Sequence, residues 1–236
     1  MNLYRDQGVV LRTIKLGETD RIITLLTQGH GKVRAVAKGV RKSGSRFGGR
    51  LEPTSHIALQ CYRGRELDVV TQVETIDANR ALREHYGCLT HAISMLEATD
   101  QVAQEREPNP ALYRMLVGAL GALDKDDAPL VLAGFLLKLL ALEGFQPQLD
   151  VCVACGKPSN LVAFDVDDGG LRCVEDRRGI SVDHEAIFLM RQILGGELTA
   201  ALREPASAAT AEAEAVAVGL VEHHIERRLK AARTRL

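Results

Sequence analysis

The hydrophobic period of this chain changes once, near Asp77, and that change limits the folds open to it. Before it, residues 3 to 76 read as short runs, roughly alternating or apolar and β-branched, separated by turn chemistry. After it, apolar residues recur at spacings of three and four, which marks amphipathic helices. Strands followed by helices make the chain α+β. The strands are expected near Gln7–Lys15, Arg21–Thr27, Lys32–Val40, His56–Tyr62 and Leu67–Ile76, with turns at Gly29-His30-Gly31 and Arg63-Gly64-Arg65. Only the connection from about Arg41 to Ser55 is long, and it is rich in Gly and Arg. Five strands joined in this way predict an OB-fold β-barrel over residues 1–78, followed by a helical domain over 79–236.

Leu82, Tyr86, Leu89, Ile93 and Leu96 form the first expected helical face. Asn109-Pro110 supplies an N-cap and a proline at the first helical position of the next helix. Pro129 opens a third, Leu130 to Leu142, apolar on nearly every side and stopped by Gly144. Between about 150 and 180 the helical period fails, and Leu161–Asp165 with Gly170–Cys173 reads as a β-hairpin within a small inserted module. Asp183 then caps a helix that stops at Gly195-Gly196. The last helix is expected from about Thr210 to the C-terminus, with Glu212 and Glu214 early and Arg227, Arg228, Lys230, Arg233 and Arg235 late, the order a helix dipole favours.

Charge divides at the same place as periodicity. The whole chain carries −1, but residues 1–80 hold 14 Lys+Arg against 8 Asp+Glu, or +6, which leaves 16 against 23, or −7, for residues 81–236. Within the basic half, Lys32, Arg34, Lys38, Arg41, Lys42, Arg46 and Arg50 occur with no acidic residue among them, and glycines at 39, 44, 48 and 49 let the backbone approach a polyanion. An uncompensated basic stripe on a barrel is the footprint of nucleic-acid binding through phosphates. Aromatic residues, on which unpaired bases stack, are scarce in this half: Tyr4, Phe47 and Tyr62. Phe47, between Arg46 and Arg50, is the expected stacking residue.

Three of the five cysteines follow metal-ligand spacing: Cys152-Val-Ala-Cys155, 17 residues, then Cys173-Val-Glu-Asp176. A carboxylate can complete a tetrahedral zinc site, so Asp176 is the expected fourth ligand and His184 the alternative. A structural zinc is expected, since no neighbouring His/Glu cluster points to an activated water. Cys61 and Cys88 read as buried structural thiols. Gly31-Lys32-Val33 lacks the rest of a P-loop, and no H-E-x-x-H or G-x-S-x-G occurs, so nothing argues for an enzyme. The greasiest stretch, Pro129 to Phe145, is interrupted by Lys138 and Glu143, and the charged N-terminus offers no secretory h-region; a cytoplasmic protein without a membrane span is expected.

Several of these pieces, taken in order, resemble the bacterial DNA repair protein RecO, a recombination mediator family. They are Asp6-Gln7-Gly8-Val9-Val10-Leu11, Gly17-Glu18-Thr19-Asp20-Arg21, Ala37-Lys38-Gly39-Val40-Arg41-Lys42 to Arg46-Phe47-Gly48-Gly49, and Phe135 to Leu140 through Gly144-Phe-Gln-Pro147 to Cys152-x-x-Cys155-Gly156. The resemblance covers essentially the whole chain. It implies binding of single- and double-stranded DNA, annealing of complementary strands, and work with RecR to load RecA onto DNA covered by single-strand binding protein. It further implies that Lys138 helps hold the acidic tail of single-strand binding protein. The departure is Asp176, where many relatives with the zinc module carry a fourth cysteine. Two other readings of the residues stay open: a zinc-containing protein-interaction adaptor, and a metal-dependent nucleic-acid enzyme.

Overall fold

In a computed structural model, which describes residues 2–125 and 128–233, the first five strands close into a barrel. They are β1 (Leu3–Leu16), β2 (Asp20–Thr27), β3 (Gly31–Ala37), β4 (His56–Tyr62) and β5 (Asp68–Asp77), in the order β1-β2-β3-β5-β4 with β4 returning to β1. All pairings are antiparallel except β3 with β5, which meet in parallel at Ala35 and Val36. This is the OB-fold the strand pattern predicts. β1 starts at Leu3, earlier than expected, because Tyr4 and Asp6 continue the inward-facing row beside Cys61 and Leu59 of β4. An irregularity between Val10 and Arg12 lets one long strand pair with β4 early and with β2 late. β3 ends at Ala37, and residues 38–40 turn away into the long connection.

The barrel interior is filled by Val10, Ile23, Leu25, Ile57, Leu59 and Val70, and by Phe47 and Leu51 brought in from the long connection. Ala35 and Ala37 are the small residues that leave space for them. Burying one such side chain stabilises the fold by roughly 1.5–3 kcal/mol.

Three helices follow: α1 (Arg80–Glu84), α2 (Tyr86–Val102) and α3 (Pro110–Lys125). The expected single helical face is split, because His85 is extended at φ −107° and ψ 115° between α1 and α2. Leu82 and Leu96 are buried, but Tyr86 is 63% exposed, and α2 instead buries a face containing Cys88, Ala92 and Met95. Asn109 caps α3, its side chain accepting from Leu112 N–H at 3.0 Å. These helices are bound to the barrel by polar contacts. Arg83 donates to Pro53 O, Thr54 Oγ1 and Ser55 Oγ, Arg12 pairs with Asp100, and His56 meets Tyr113. Gly31 shows how tight the fit is, since at φ +66° a Cβ there would lie 2.0 Å from Glu107 O. The compact units are therefore Met1–Lys125 and Asp126–Leu236, while the change of secondary structure comes near residue 78.

The second unit comprises α4 (Val131–Leu142), β6 (Leu161–Asp165), β7 (Gly170–Cys173), β8 (Ile180–Ser181), α5 (His184–Gly195), α6 (Leu198–Ala201) and α7 (Ala208–His224). α4, α5 and α7 pack together, and α4 is buried along nearly its whole length. The hairpin has the expected bounds, and β8 adds a third strand beside β6 that its two-residue length concealed. Asp183 caps α5. α7 is capped by Ser207 through a capping box and ends at His224. Arg227, Arg228 and Lys230 therefore lie beyond α7 rather than in its final turn, and Arg233 ends a short 3-10 turn, Ala231–Arg233; Arg235 lies outside the described residues. Among the described residues no helix is long and apolar enough to cross a membrane.

Candidate nucleic-acid and metal sites

The seven basic residues between 32 and 50 separate into two groups. Lys32 and Arg34 stand on β3 and meet acids from the last turns of α2 and the segment after it: Lys32 Nζ donates to Asp100 O at 2.6 Å and lies 3.7 Å from its carboxylate, and Arg34 lies 3.9 Å from Glu105. Arg34 Nε is buried without a hydrogen-bond partner among the described residues. Lys38, Arg41, Lys42, Arg46 and Arg50 stand exposed on the connection after β3, and none forms an ion pair among the described residues. Counting charge along the chain could not separate the groups, because Asp100 and Glu105 are remote in sequence.

The connection is held in shape. Arg41 N–H donates to Thr19 O, and its guanidinium donates to Glu18 O at 2.9 Å. Asp20 accepts from Gly39 N–H at 2.8 Å, and that bond, with one from Thr19, holds its carboxyl below the usual carboxylate range. Arg50 donates to Arg46 O and Phe47 O. The sequence Gly17-Glu18-Thr19-Asp20 thus serves as the anchor of the basic loop.

Phe47 is not a stacking platform. It is 1% exposed within the barrel core, with Arg46 across its ring at 4.9 Å. Large aromatic area favours burial wherever a core has space, and here the barrel mouth supplies it. Tyr4 is half-buried and donates to Asp68 Oδ2 at 2.5 Å. Tyr62 is 40% exposed.

In the second unit Cys152, Cys155, Cys173 and Asp176 each offer a ligand atom, all within 4.8 Å of one another, so the four could hold a metal ion. Cys155 Sγ lies 3.7 Å from Cys173 Sγ, and Asp176 Oδ2 lies 3.6 Å from Cys152 Sγ and 3.5 Å from Cys173 Sγ. Burial pushes the Cys152 thiol up, but backbone N–H groups of Cys173, Cys155 and Ala154 outweigh it and bring it down to about 7. Cys155 is pushed up to about 12, chiefly by its hydrogen bond with Asp176. That contact and one from Cys173 hold Asp176 low. His184, the alternative fourth ligand, is 93% exposed and pairs with Asp183 at 2.6 Å, outside the cluster. Lys138 is half-buried on α4, where every other residue is uncharged.

A five-stranded OB barrel bearing a basic loop, with a helical unit that carries a three-cysteine, one-aspartate cluster, defines a nucleic-acid-binding class of protein. Residues 1–79 match the N-terminal domain of recombination protein O, and residues 83–233 match its C-terminal domain. The chain belongs to the recombination protein O family, the DNA-binding recombination mediators of DNA repair.

Proposed function

We propose that this chain holds single- and double-stranded DNA through the five exposed cations of the Lys38–Arg50 loop, anneals complementary strands, and with RecR loads RecA onto DNA covered by single-strand binding protein. It works by binding and positioning in the cytoplasm, not by bond chemistry. The observation that carries the reading is a fixed loop whose five cations form no close ion pair among the described residues, Asp20 attracting only Lys38 and Lys42 from a distance. If the loop neutralises about five phosphates of a single strand, the log–log salt slope is about −3.5, and raising salt from about 50 to about 200 mM weakens binding on the order of 100-fold. Replacing Lys38, Lys42 and Arg46 together by Ala leaves the Arg41 anchor in place. The variant should flatten the slope by about 2, at about 0.7 per lost contact, for every DNA sequence alike. A triple variant with the wild-type slope in fluorescence-anisotropy titrations would move the DNA site elsewhere.

The metal we assign to the cysteine cluster is a structural zinc. Tetrahedral zinc with bonds of about 2.3 Å to sulfur and about 2.0 Å to oxygen sets sulfurs about 3.8 Å apart and sulfur from oxygen about 3.5 Å. The separations of 3.7, 3.6 and 3.5 Å match those edges. Such an ion would tie the Cys152 loop to the end of β7 and would supply folding energy. Lys138, the lone charge of α4, is proposed to meet a carboxylate in the acidic tail of single-strand binding protein.

A further inference from the structure

We propose a second nucleic-acid contact: a groove on the outer face of β1, β4 and β5 that reads unpaired bases, with a stacking platform at Tyr62 further along the same face. The inference rests on the single-strand-binding reading above. Leu59 and Cys61 point into the barrel, so Ala58, Gln60 and Tyr62 point outward, beside Gln7, Arg5 and Leu3 of β1. Along this face lies a groove of about 490 Å³ whose lining includes Arg5, Gln7, Gln28, Gln60, Gln72 and Glu74. The volume is within the roughly 300–1,000 Å³ usual for small-ligand sites.

Four carboxamides in one groove are the telling feature. Arg5 Nε donates to Gln60 Oε1 at 3.1 Å, leaving the Gln60 NH2 facing outward chemistry, and the side chains of Gln7, Gln28 and Gln72 have no hydrogen-bond partner among the described residues. A carboxamide sets a donor beside an acceptor, which is the pattern base edges present. At the end of the face Tyr62 and Leu3 are register partners, 40% and 48% exposed, forming a ledge that suits a base plane. Arg63 and Arg65 follow in an exposed turn, pinned to the residue before β1 by Arg63 N–H donating to Asn2 O at 2.9 Å. The charged residues lining the groove are Arg5, Asp6 and Glu74, one cation against two acids, so phosphate attraction is not what this surface offers. The basic loop enters β4 at His56 and Tyr62 closes it, roughly 20 Å away along the strand. One DNA strand lying along β4 meets phosphate contacts at one end and base contacts at the other.

The chain contains no Trp, so Tyr62→Trp creates a single reporter. Titrated with a thymidine oligonucleotide, its emission should be quenched in step with the anisotropy rise of the labelled DNA. Tyr62→Ala should weaken binding about 5- to 100-fold with an unchanged salt slope, and Tyr62→Phe should restore it. Unchanged Trp emission at saturating DNA would overturn the groove while leaving the loop reading intact. An emission change with a protein partner but not with DNA would overturn it too and make the face a protein-docking surface. Absence of any anisotropy rise with the wild-type chain would overturn both.

Discussion

Phe47 carries opposite consequences in its two settings. Beside Arg46 and Arg50 in the sequence it reads as a base-stacking residue; at 1% exposure in the barrel it is a plug for the core. The neighbouring charges stay outside because their stems are long, while the ring, which has no polar atom, enters. Phe47→Ala should therefore cost about 3–5 kcal/mol of stability, measured as a shifted urea midpoint, and alter DNA affinity only through the loop it anchors. A variant with wild-type stability and weakened DNA binding would restore the stacking role. Asp68 is the second decisive residue, buried and accepting from Tyr4, Gly64 N–H and Arg106. Burial alone would raise its carboxyl, but those hydrogen bonds outweigh it and hold it below the usual range. A depressed carboxyl contributes stability that is present above about pH 4 and lost as pH falls through the folded-state value. Asp68→Asn should remove about 2–4 kcal/mol near neutrality and flatten the acid limb of stability against pH. Urea titrations across the acid range that show parallel curves for wild type and variant would contradict this.

At the scale of elements, what the sequence disclosed depended on how local the cause was. The β6–β7 hairpin and the caps at Asn109 and Asp183 were readable to the residue, because each is set by turn or capping chemistry within a few positions. The break between α1 and α2 was not, since apolar spacing runs through His85 without interruption and the buried face of α2 is set by its packing partners. The cysteine–aspartate cluster was legible from spacing, including Asp176 in the last place, whereas only three dimensions show that Asp176 lies with the cysteines and His184 outside them. A three-stranded sheet with strands of five, four and two residues has little core of its own, so its order should depend on the ion. Freshly purified protein should hold about one zinc per chain. Cys152→Ser should lose it and lower thermal stability, and Asp176→Asn should bind it more weakly in competition with a chromophoric chelator. Because thiolates would be the ligands, acidification should release the metal. Elemental analysis that finds no zinc would remove the assignment.

For the whole molecule, the instructive difference is between the boundary of period and the boundary of compactness. The strands end near residue 77, and the family match divides in the same region, at residues 79 and 83. The barrel, however, takes structural partners from far beyond that point. Lys32 needs Asp100, Asp68 needs Arg106, and His56 needs Tyr113. The carbonyls of Pro53 and Thr54 receive Arg83 and Asn79, and the start of β3 pairs with the segment after α2 through Lys32 N–H to Gln104 O and Arg106 N–H to Lys32 O. None of these partnerships has a local sequence signature, so the change of period near residue 78 marks the end of the strands without disclosing them. A fragment of residues 1–79 keeps every barrel strand but leaves buried groups such as the Asp68 carboxylate short of their partners. Each such loss costs about 1–3 kcal/mol, more for a charge, against a total stability of about 5–15 kcal/mol for an ordinary domain. Residues 1–125 retain all of them and the whole basic loop. We therefore expect the 1–125 fragment to unfold cooperatively and to bind single-stranded DNA with the salt slope of the full chain, and the 1–79 fragment to show neither sharp amide dispersion nor a cooperative transition. A stable 1–79 fragment with full DNA affinity would show that the helical partners are dispensable to the barrel, and that the change of period alone marks its limit.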